Sequence, residues 1–228
     1  MKRSGLFLIS FLILFTAAAQ SNFSLATDVA YLRNFKKHQR FGSVGHTIQF
    51  QYHVTGKEGI YAWLSYYQKG KYQNTLTAAA KSPVTNPQQH TFSNNASMAI
   101  QHYSVGWKHY FIGGSEGDSI NWSLYGLAGF GLIAGRITNV FADQPDTALY
   151  NLPSSPVSGE GQFKRLTLDI GAGWEKALSD RIFLYGEVRL WIPASSTPSP
   201  YLFVNKNAPF AATVNAGLRV LFADYKED

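Results

Sequence analysis

The chain contains no cysteine, which excludes a disulfide framework and any thiolate nucleophile or metal ligand. Charged residues are scarce as well. They make up 15% of the chain, whereas soluble domains contain roughly 25%. Aromatic residues are abundant and also reach 15%. Because a surface that meets lipid carries few charges and many aromatic side chains, this composition is typical of a protein with a lipid-facing outer band.

Long apolar runs are almost absent too. After the N-terminus the chain never reaches the ~18 consecutive apolar residues that a membrane helix requires. The N-terminus itself has a basic start at residues 1–3, an apolar stretch over residues 6–15 and small residues up to Ala19. This pattern predicts a secretory signal peptide, residues 1–19, cleaved after Ala19. The apolar stretch is too short to span a bilayer, so a retained membrane helix is the weaker alternative.

Eight stretches of the remaining chain alternate apolar and polar residues, which predicts strands with two different faces. In the last one Val214, Ala216, Leu218, Val220 and Phe222 are apolar, and most residues between them are polar or glycine. Two apolar residues, Leu32 and Trp63, fall on the polar side of their strands. The predicted strands cover residues 22–35, 46–55, 59–72, 97–111, 119–136, 162–177, 181–192 and 210–222.

The connections between these strands alternate in length. Residues 36–45, 73–96, 137–161 and 193–209 form long connections, and residues 56–58, 113–118 and 178–180 form tight ones. A membrane barrel with both termini in the periplasm has long extracellular loops and short periplasmic turns. The sequence therefore predicts an all-β fold, an eight-stranded antiparallel transmembrane β-barrel over residues 20–222, followed by a short charged tail at residues 223–228.

The alternation alone also fits a soluble barrel with its apolar face inward. Export, the sorted connection lengths and the aromatic residues near strand ends favour lipid outside. The candidates for aromatic girdles are Tyr31, Tyr52, Tyr103, Trp107, Trp122, Trp174 and Phe222.

The polar faces would then line the lumen and carry charges of both signs. These are Asp28, Lys108, Asp169, Glu175, Glu187, Arg189 and Arg219. An unpaired charge in a narrow barrel is costly, so we expect these residues to pair and fill the interior as a structural plug. A gated ion path is the alternative.

The final strand resembles the C-terminal signature of outer-membrane barrels, in which a polar residue, a glycine and then hydrophobic residues end on an aromatic. Asn215, Gly217, Val220 and Phe222 occupy those places. The resemblance implies recognition by the barrel-assembly machinery of a Gram-negative envelope. The whole layout resembles the small barrels of the OmpA transmembrane-domain and OmpX type, and porin-like outer-membrane β-barrel families. It implies a place in the cell outer membrane and says little about activity.

One pair of residues is a candidate for catalysis. His102 and Ser104 lie two apart on one strand and share a face. With Glu116 as the nearest acid, they resemble part of the motif of barrel lipid A deacylases, which implies a serine-hydrolase arrangement. Glu116 falls in a tight turn far from the pair, and Lys108 on the same face indicates the lumen. We therefore expect no enzyme activity and no cofactor, and the scattered histidines predict no metal site.

The formal net charge of +6 raises the question of an anionic partner. An exported protein does not routinely meet nucleic acid, so outer-membrane lipids and lipopolysaccharide are the expected partners of a monomer. Lys36, Lys37 and Arg40 in the first outer loop are candidates for lipopolysaccharide contact, with ordinary solvated charge as the alternative. The expected function is structural, adhesive or surface-interacting, through the outer loops, including residues 140–161. A small low-conductance porin-like channel is the alternative, and a lipid A deacylase-like enzyme is the weakest.

Overall fold

A computed structural model of the protein describes residues 23–116, 121–195, 199–203 and 210–222. The predicted signal peptide and the tail after Phe222 lie outside these residues. Within them, no helix is long and apolar enough to cross a membrane. The strands of the described chain are β1 (Phe23–Asn34), β2 (Phe41–His53), β3 (Glu58–Ala80), β4 (Gln89–Ile112), β5 (Trp122–Ala142), β6 (Tyr150–Asn151), β7 (Gly159–Ala177), β8 (Ile182–Pro193) and β9 (Ala211–Phe222).

The eight long strands form one closed antiparallel ring. The ladder runs β2-β1-β9-β8-β7-β5-β4-β3, and β3 pairs back onto β2. The two ends of the described chain meet where β1 pairs with β9, from Phe23 opposite Phe222 to Asn34 opposite Ala211. Closure gives every long strand a neighbour on both sides at the level of the membrane, which satisfies its backbone hydrogen bonds in lipid. The predicted eight-stranded transmembrane barrel is confirmed.

Side chains alternate between the two sides of the wall, and the outward positions form an apolar band. One row around this band joins Leu64, Tyr103, Leu132 and Leu166 on four adjacent strands. The seven girdle candidates all point outward, with 43–49% of each side chain exposed. Tyr52, Trp107, Trp122, Trp174 and Phe222 lie near the periplasmic ends of their strands, and Tyr31 and Tyr103 lie farther up. This distribution is typical of lipid-facing aromatic girdles.

Several strands are longer than predicted. β2 begins at Phe41 instead of residue 46, and β3, β4 and β5 continue well beyond the predicted boundaries. The outer connections are accordingly confined to residues 35–40, 81–88, 143–158 and 194–210. The sequence pattern failed here because the outward positions above the apolar band, such as Lys71, Gln73 and Thr75, meet water. Strand pairing continues while the apolar-polar alternation disappears.

The upper parts of β3, β4 and β5 form a sheet that stands above the apolar band. We call it the extracellular sheet and define it as residues 70–80, 89–98 and 137–142 together with β6, which pairs with the end of β3. Its inner face is covered by the outer connections. The apolar cluster between them contains Leu76, Ala78, Phe92 and Tyr150, with Ala80, Phe141, Leu152 and Phe203 packed against it.

Ring closure depends on a close approach of backbones at Gly217, and substitution there tests it. A Cβ at this position would collide with the backbone oxygen of Thr27 and with Asp28 on β1. We expect Gly217→Val to lower the free energy of unfolding by ~2 kcal/mol or more, because the collision involves backbone. Urea titration in lipid vesicles, followed by tryptophan fluorescence, measures this.

Ala216→Val is the matched control for the closure test. Ala216 is the neighbouring residue, points outward and is exposed, so its extra methyl groups would enter lipid. We expect little change in the free energy of unfolding. Equal losses for the two variants would contradict the close packing of β9 against β1.

Candidate functional site

The interior of the barrel is the most chemically dense part of the molecule. All seven predicted lumen charges point inward, and each is at most 5% exposed. The structure joins them into two ion clusters and one histidine–aspartate contact. The seven charged residues are Asp28, Lys108, Asp169, Glu175, Glu187, Arg189 and Arg219.

The first ion cluster lies at the periplasmic end. Arg219 on β9 donates from Nε to Glu175 on β7 over 2.9 Å, and Lys108 Nζ on β4 lies 3.7 Å from the same carboxylate. Arg219 also donates to Ser24 Oγ and to the backbone oxygen of Ser115, each at 2.8 Å. Ser115 belongs to the turn after β4, so this arginine ties the wall to the periplasmic turn. Such a multiply bonded ion pair satisfies charges that would otherwise be costly to bury.

The second ion cluster lies near the middle of the barrel. The guanidinium of Arg189 on β8 donates to Glu187 on the same strand and lies 3.7 Å from Asp28 on β1. Phenol groups also donate hydrogen bonds to both carboxylates. Tyr125 donates to Glu187 over 3.0 Å, and Tyr185 donates to Asp28 over 2.8 Å. Charges of both signs and their hydroxyl partners therefore occupy the bore at this level.

His102 lies in the interior, and its partners fix its tautomer. The indole N–H of Trp63 donates to His102 Nδ1 over 3.2 Å, so Nδ1 is an acceptor and the ring proton lies on Nε2. Nε2 faces Thr167 Oγ1 at 3.1 Å and Asp169 Oδ2 at 3.3 Å. The ring stacks on Trp191 with centroids 4.0 Å apart. The imidazole is therefore held neutral, with both ring nitrogens in use.

The serine-hydrolase arrangement is not formed by the three described residues considered for it. Ser104 Oγ donates to the backbone oxygen of Phe130 over 3.1 Å. Glu116 lies exposed in the periplasmic turn after β4, away from the histidine. Because His102 Nδ1 accepts from tryptophan and Nε2 carries the proton, the ring has no free nitrogen to accept a proton from Ser104. Among the described residues, no cluster of His, Asp or Glu is arranged to hold a metal ion.

The upper half of the lumen contains a large apolar cluster that the sequence pattern did not predict. One buried cluster contains a residue from each of the eight long strands and closes with Leu202 from the outer connection after β8. The sequence did contain one sign of this cluster: Leu32 is apolar but falls on the polar side of its strand, and it belongs to the cluster. Its members are Ala30, Leu32, Phe41, Tyr67, Tyr72, Ala96, Met98, Ile100, Ile133, Ile137, Phe163, Trp191, Leu202 and Ala211. We call it the apolar plug.

The four signature residues of the last strand lie in different environments. Asn215 points inward and donates to Asp28 over 3.1 Å. Gly217 lies against β1, where a side chain does not fit. Val220 and Phe222 point outward, and the ring of Phe222 stacks on Phe23 at 4.8 Å. The signature therefore combines an interior contact, a close backbone approach and a lipid-facing end.

The basic run after β1 lies in a tight turn. The carbonyl of Lys36 accepts the backbone N–H of Gln39, and the turn ends where β2 begins. Lys37 and Arg40 are exposed, and Lys36 is half-buried. The three cations therefore lie on the extracellular side, within a segment that is shorter than the predicted loop.

Comparison with known proteins shows likeness of fold. No protein-family model matches the chain, and no curated protein matches it. Neisserial surface protein A (NspA) is 14% identical, and the match covers 87% of this chain and 96% of that chain with a TM-score of 0.51. Ail of Yersinia pestis is 11% identical over 89% of this chain and 99% of its own, with a TM-score of 0.48. OprG from Pseudomonas aeruginosa is 15% identical over 88% and 96%, with a TM-score of 0.47. The likeness to NspA shows that the chain has the fold of the small outer-membrane β-barrels.

Proposed function

We propose that the protein is a non-enzymatic outer-membrane barrel that makes surface contacts, in adhesion or envelope structure, through its extracellular sheet. The observation that carries the proposal is the continuation of strand pairing above the apolar band. β3 runs eleven residues from Gly70 to Ala80, which is ~35 Å along the strand. An element of this size, held by the barrel and by its own apolar cluster, presents a fixed surface outside the cell.

The outward face of the extracellular sheet is polar and regular. Cross-strand pairs place Gln73 beside Asn95, Thr75 beside Ser93 and Thr77 beside Thr91. Paired strands hold these hydroxyl and amide groups in place before a partner arrives. A preformed surface loses less conformational entropy on binding than a flexible loop, which favours recognition by this face.

The lumen supports the same proposal. The apolar plug closes the extracellular half, and the paired charges fill the periplasmic half. An ion would have to pass the apolar cluster and the buried guanidinium of Arg165, and leaving water for a medium of low dielectric constant costs several kcal/mol. The second candidate, a low-conductance channel, is favoured only by the charges around Arg189.

The absence of enzymatic activity is part of the proposal. The protonated Nε2 and the indole-bonded Nδ1 of His102 leave Ser104 without a base, and both side chains are at most 4% exposed. A lipid substrate in the surrounding membrane would have to pass through the barrel wall to reach them. The buried position supports a structural role in which His102 packs against Trp63 and Trp191.

The remaining partners follow from the same architecture. We propose export with cleavage after Ala19, insertion by the barrel-assembly machinery through the strand that ends at Phe222, and function as a monomer. Lipids surround the apolar band. Lys36, Lys37 and Arg40 are proposed contacts for lipopolysaccharide phosphates, because cations at this height face the anionic outer leaflet.

Planar-bilayer recording of the purified protein tests whether the lumen conducts. We expect no stable unitary current steps, because the apolar plug and the ion clusters fill the bore. Glu187→Gln and Arg189→Gln are recorded beside the unchanged protein. Unitary steps in the unchanged protein that shift in size with either substitution would establish the channel and overturn the closed lumen.

Attachment of cells that carry the protein tests the extracellular sheet. The substitutions Thr75→Lys with Ser93→Glu change the outward face while a facing pair of opposite charge keeps the strands compatible. We expect the protein to promote attachment to epithelial monolayers and the double variant to lose most of that gain, with the same amount of folded protein in the membrane.

Lys57→Gln is the control for attachment, because Lys57 lies exposed in the periplasmic turn between β2 and β3. It should attach like the unchanged protein. The adhesive role of the extracellular sheet is wrong if the unchanged protein gives no more attachment than cells without it, or if the double variant attaches equally well.

A further inference from the structure

We propose that the outer wall of the barrel carries a binding site for a phosphorylated glycolipid of the outer leaflet. The site lies on the β3–β4–β5 face, where Lys69 and Arg136 would bind the phosphate. It is separate from the basic turn after β1. It also goes beyond the proposed surface contacts, because its ligand lies in the membrane that surrounds the protein.

The pairing of strands places the two cations on either side of a small residue. Arg136 on β5 is directly opposite Ala99 on β4. On its other side, Ala99 faces the bulge of β3 that contains Lys69, between the pairs Tyr67–Ile100 and Gly70–Met98. The two cations are thus two strand spacings apart, about 10 Å between backbones. The alanine leaves the space between their side chains open.

A cleft occupies this space on the outer surface. Its volume is about 350 Å³, and its lining includes both cations, Ala99, Ala134 and Gln101. Tyr66 and Gln162 add a phenol and an amide at its sides. A phosphate group is recognised by several donors that converge from different directions, and guanidinium and ammonium groups are the strongest of these. The cleft supplies both kinds of cation.

The cleft lies just above the apolar band, at the level where a lipid headgroup would lie. The row below it is apolar and joins Leu64, Tyr103 and Leu132. The row above it is polar and joins Lys71, Ser97 and Thr138. A lipid whose acyl chains lie along the apolar row therefore has its phosphate at the level of Lys69 and Arg136. This continuity with the lipid-facing band indicates a membrane lipid as the occupant.

A second cleft lies directly above the first and indicates a sugar-containing headgroup. Its volume is about 540 Å³, and it is lined by Lys71, Gln73, Asn95, Ser97 and Thr138 among others. Amide and hydroxyl side chains are the groups that bond to sugar hydroxyls. A simple phospholipid would leave this cleft unused, whereas a phosphorylated saccharide would fill both.

The local charge balance favours an anion. Lys69, Lys71 and Arg136 lie on this outer face and Lys164 lies beside it on β7; within the described ranges no ion pair links any of them to a carboxylate. Glu160 is the acidic residue beside them, and its Oε1 accepts a hydrogen bond from Thr138 Oγ1 over 3.4 Å. Four cations against this one carboxylate leave a positive patch, and a phosphate would neutralise part of it.

Binding of diphosphoryl lipid A to the purified protein in a neutral detergent tests the site, with native mass spectrometry as the readout. The double variant Lys69→Gln with Arg136→Gln should bind on the order of tenfold more weakly, because two phosphate contacts are lost. Ala99→Leu retains every charge but fills the space between the cations, so it should weaken binding as well. Each variant is first shown to fold by its heat-dependent gel mobility.

Lys57→Gln with Lys176→Gln is the matched control, since it removes two cations at the periplasmic end of the barrel. It should bind like the unchanged protein. Equal loss in the control, or unchanged binding by Ala99→Leu, would show diffuse attraction and overturn the site. A loss that occurs instead with Lys36→Gln and Lys37→Gln would move the site to the turn after β1. Equally tight binding of phosphatidylglycerol would overturn the glycolipid assignment.

Discussion

Closure of the sheet is the constraint on which the rest of the structure depends. In lipid no water satisfies a free strand edge, so β1 must find β9 and β2 must find β3. Closure separates two faces at every residue: one meets lipid and the other is confined to a narrow bore. The close approach at Gly217 and the outward stacking of Phe222 on Phe23 are local consequences, because the first and last strands must meet without a gap.

The narrow bore then determines the interior chemistry. Charges that alternation directs inward have little water, so partners within the bore stabilise them, as Glu175 does for Arg219 and Glu187 for Arg189. Above these clusters the bore contains apolar side chains from all eight long strands, with the guanidinium of Arg165 buried beside them. This apolar cluster lies above the paired charges. The same cluster anchors the base of the extracellular sheet, so the filled lumen and the exposed surface form one continuous structure.

Much of the fold was predictable from the sequence because successive residues face lipid and the bore in turn, and the lipid favours apolar side chains where the bore accepts polar ones. That contrast identified the strands and the inward direction of residues such as Asp169 and Arg189. It disappears above the apolar band, where water wets the outward positions Lys71 and Thr75, so the length of β3 was not predictable. The apolar plug was missed because it depends on which side chains share a level, and strand register sets that level. His102 shows the same limit: its partners Trp63 and Asp169 lie on other strands.

The central claim is a barrel with lipid outside and a filled lumen, and thiol accessibility tests it directly. Because the chain has no cysteine, single cysteines can replace the outward Leu168 and Leu184 and the inward Ser104 and Thr213 without background. In lipid vesicles, a membrane-dissolved maleimide should label the two outward positions, and a small water-soluble thiol reagent should label none of the four. Rapid labelling of the inward positions from water would contradict the filled lumen, and labelling of the outward positions from water would contradict the lipid-facing band.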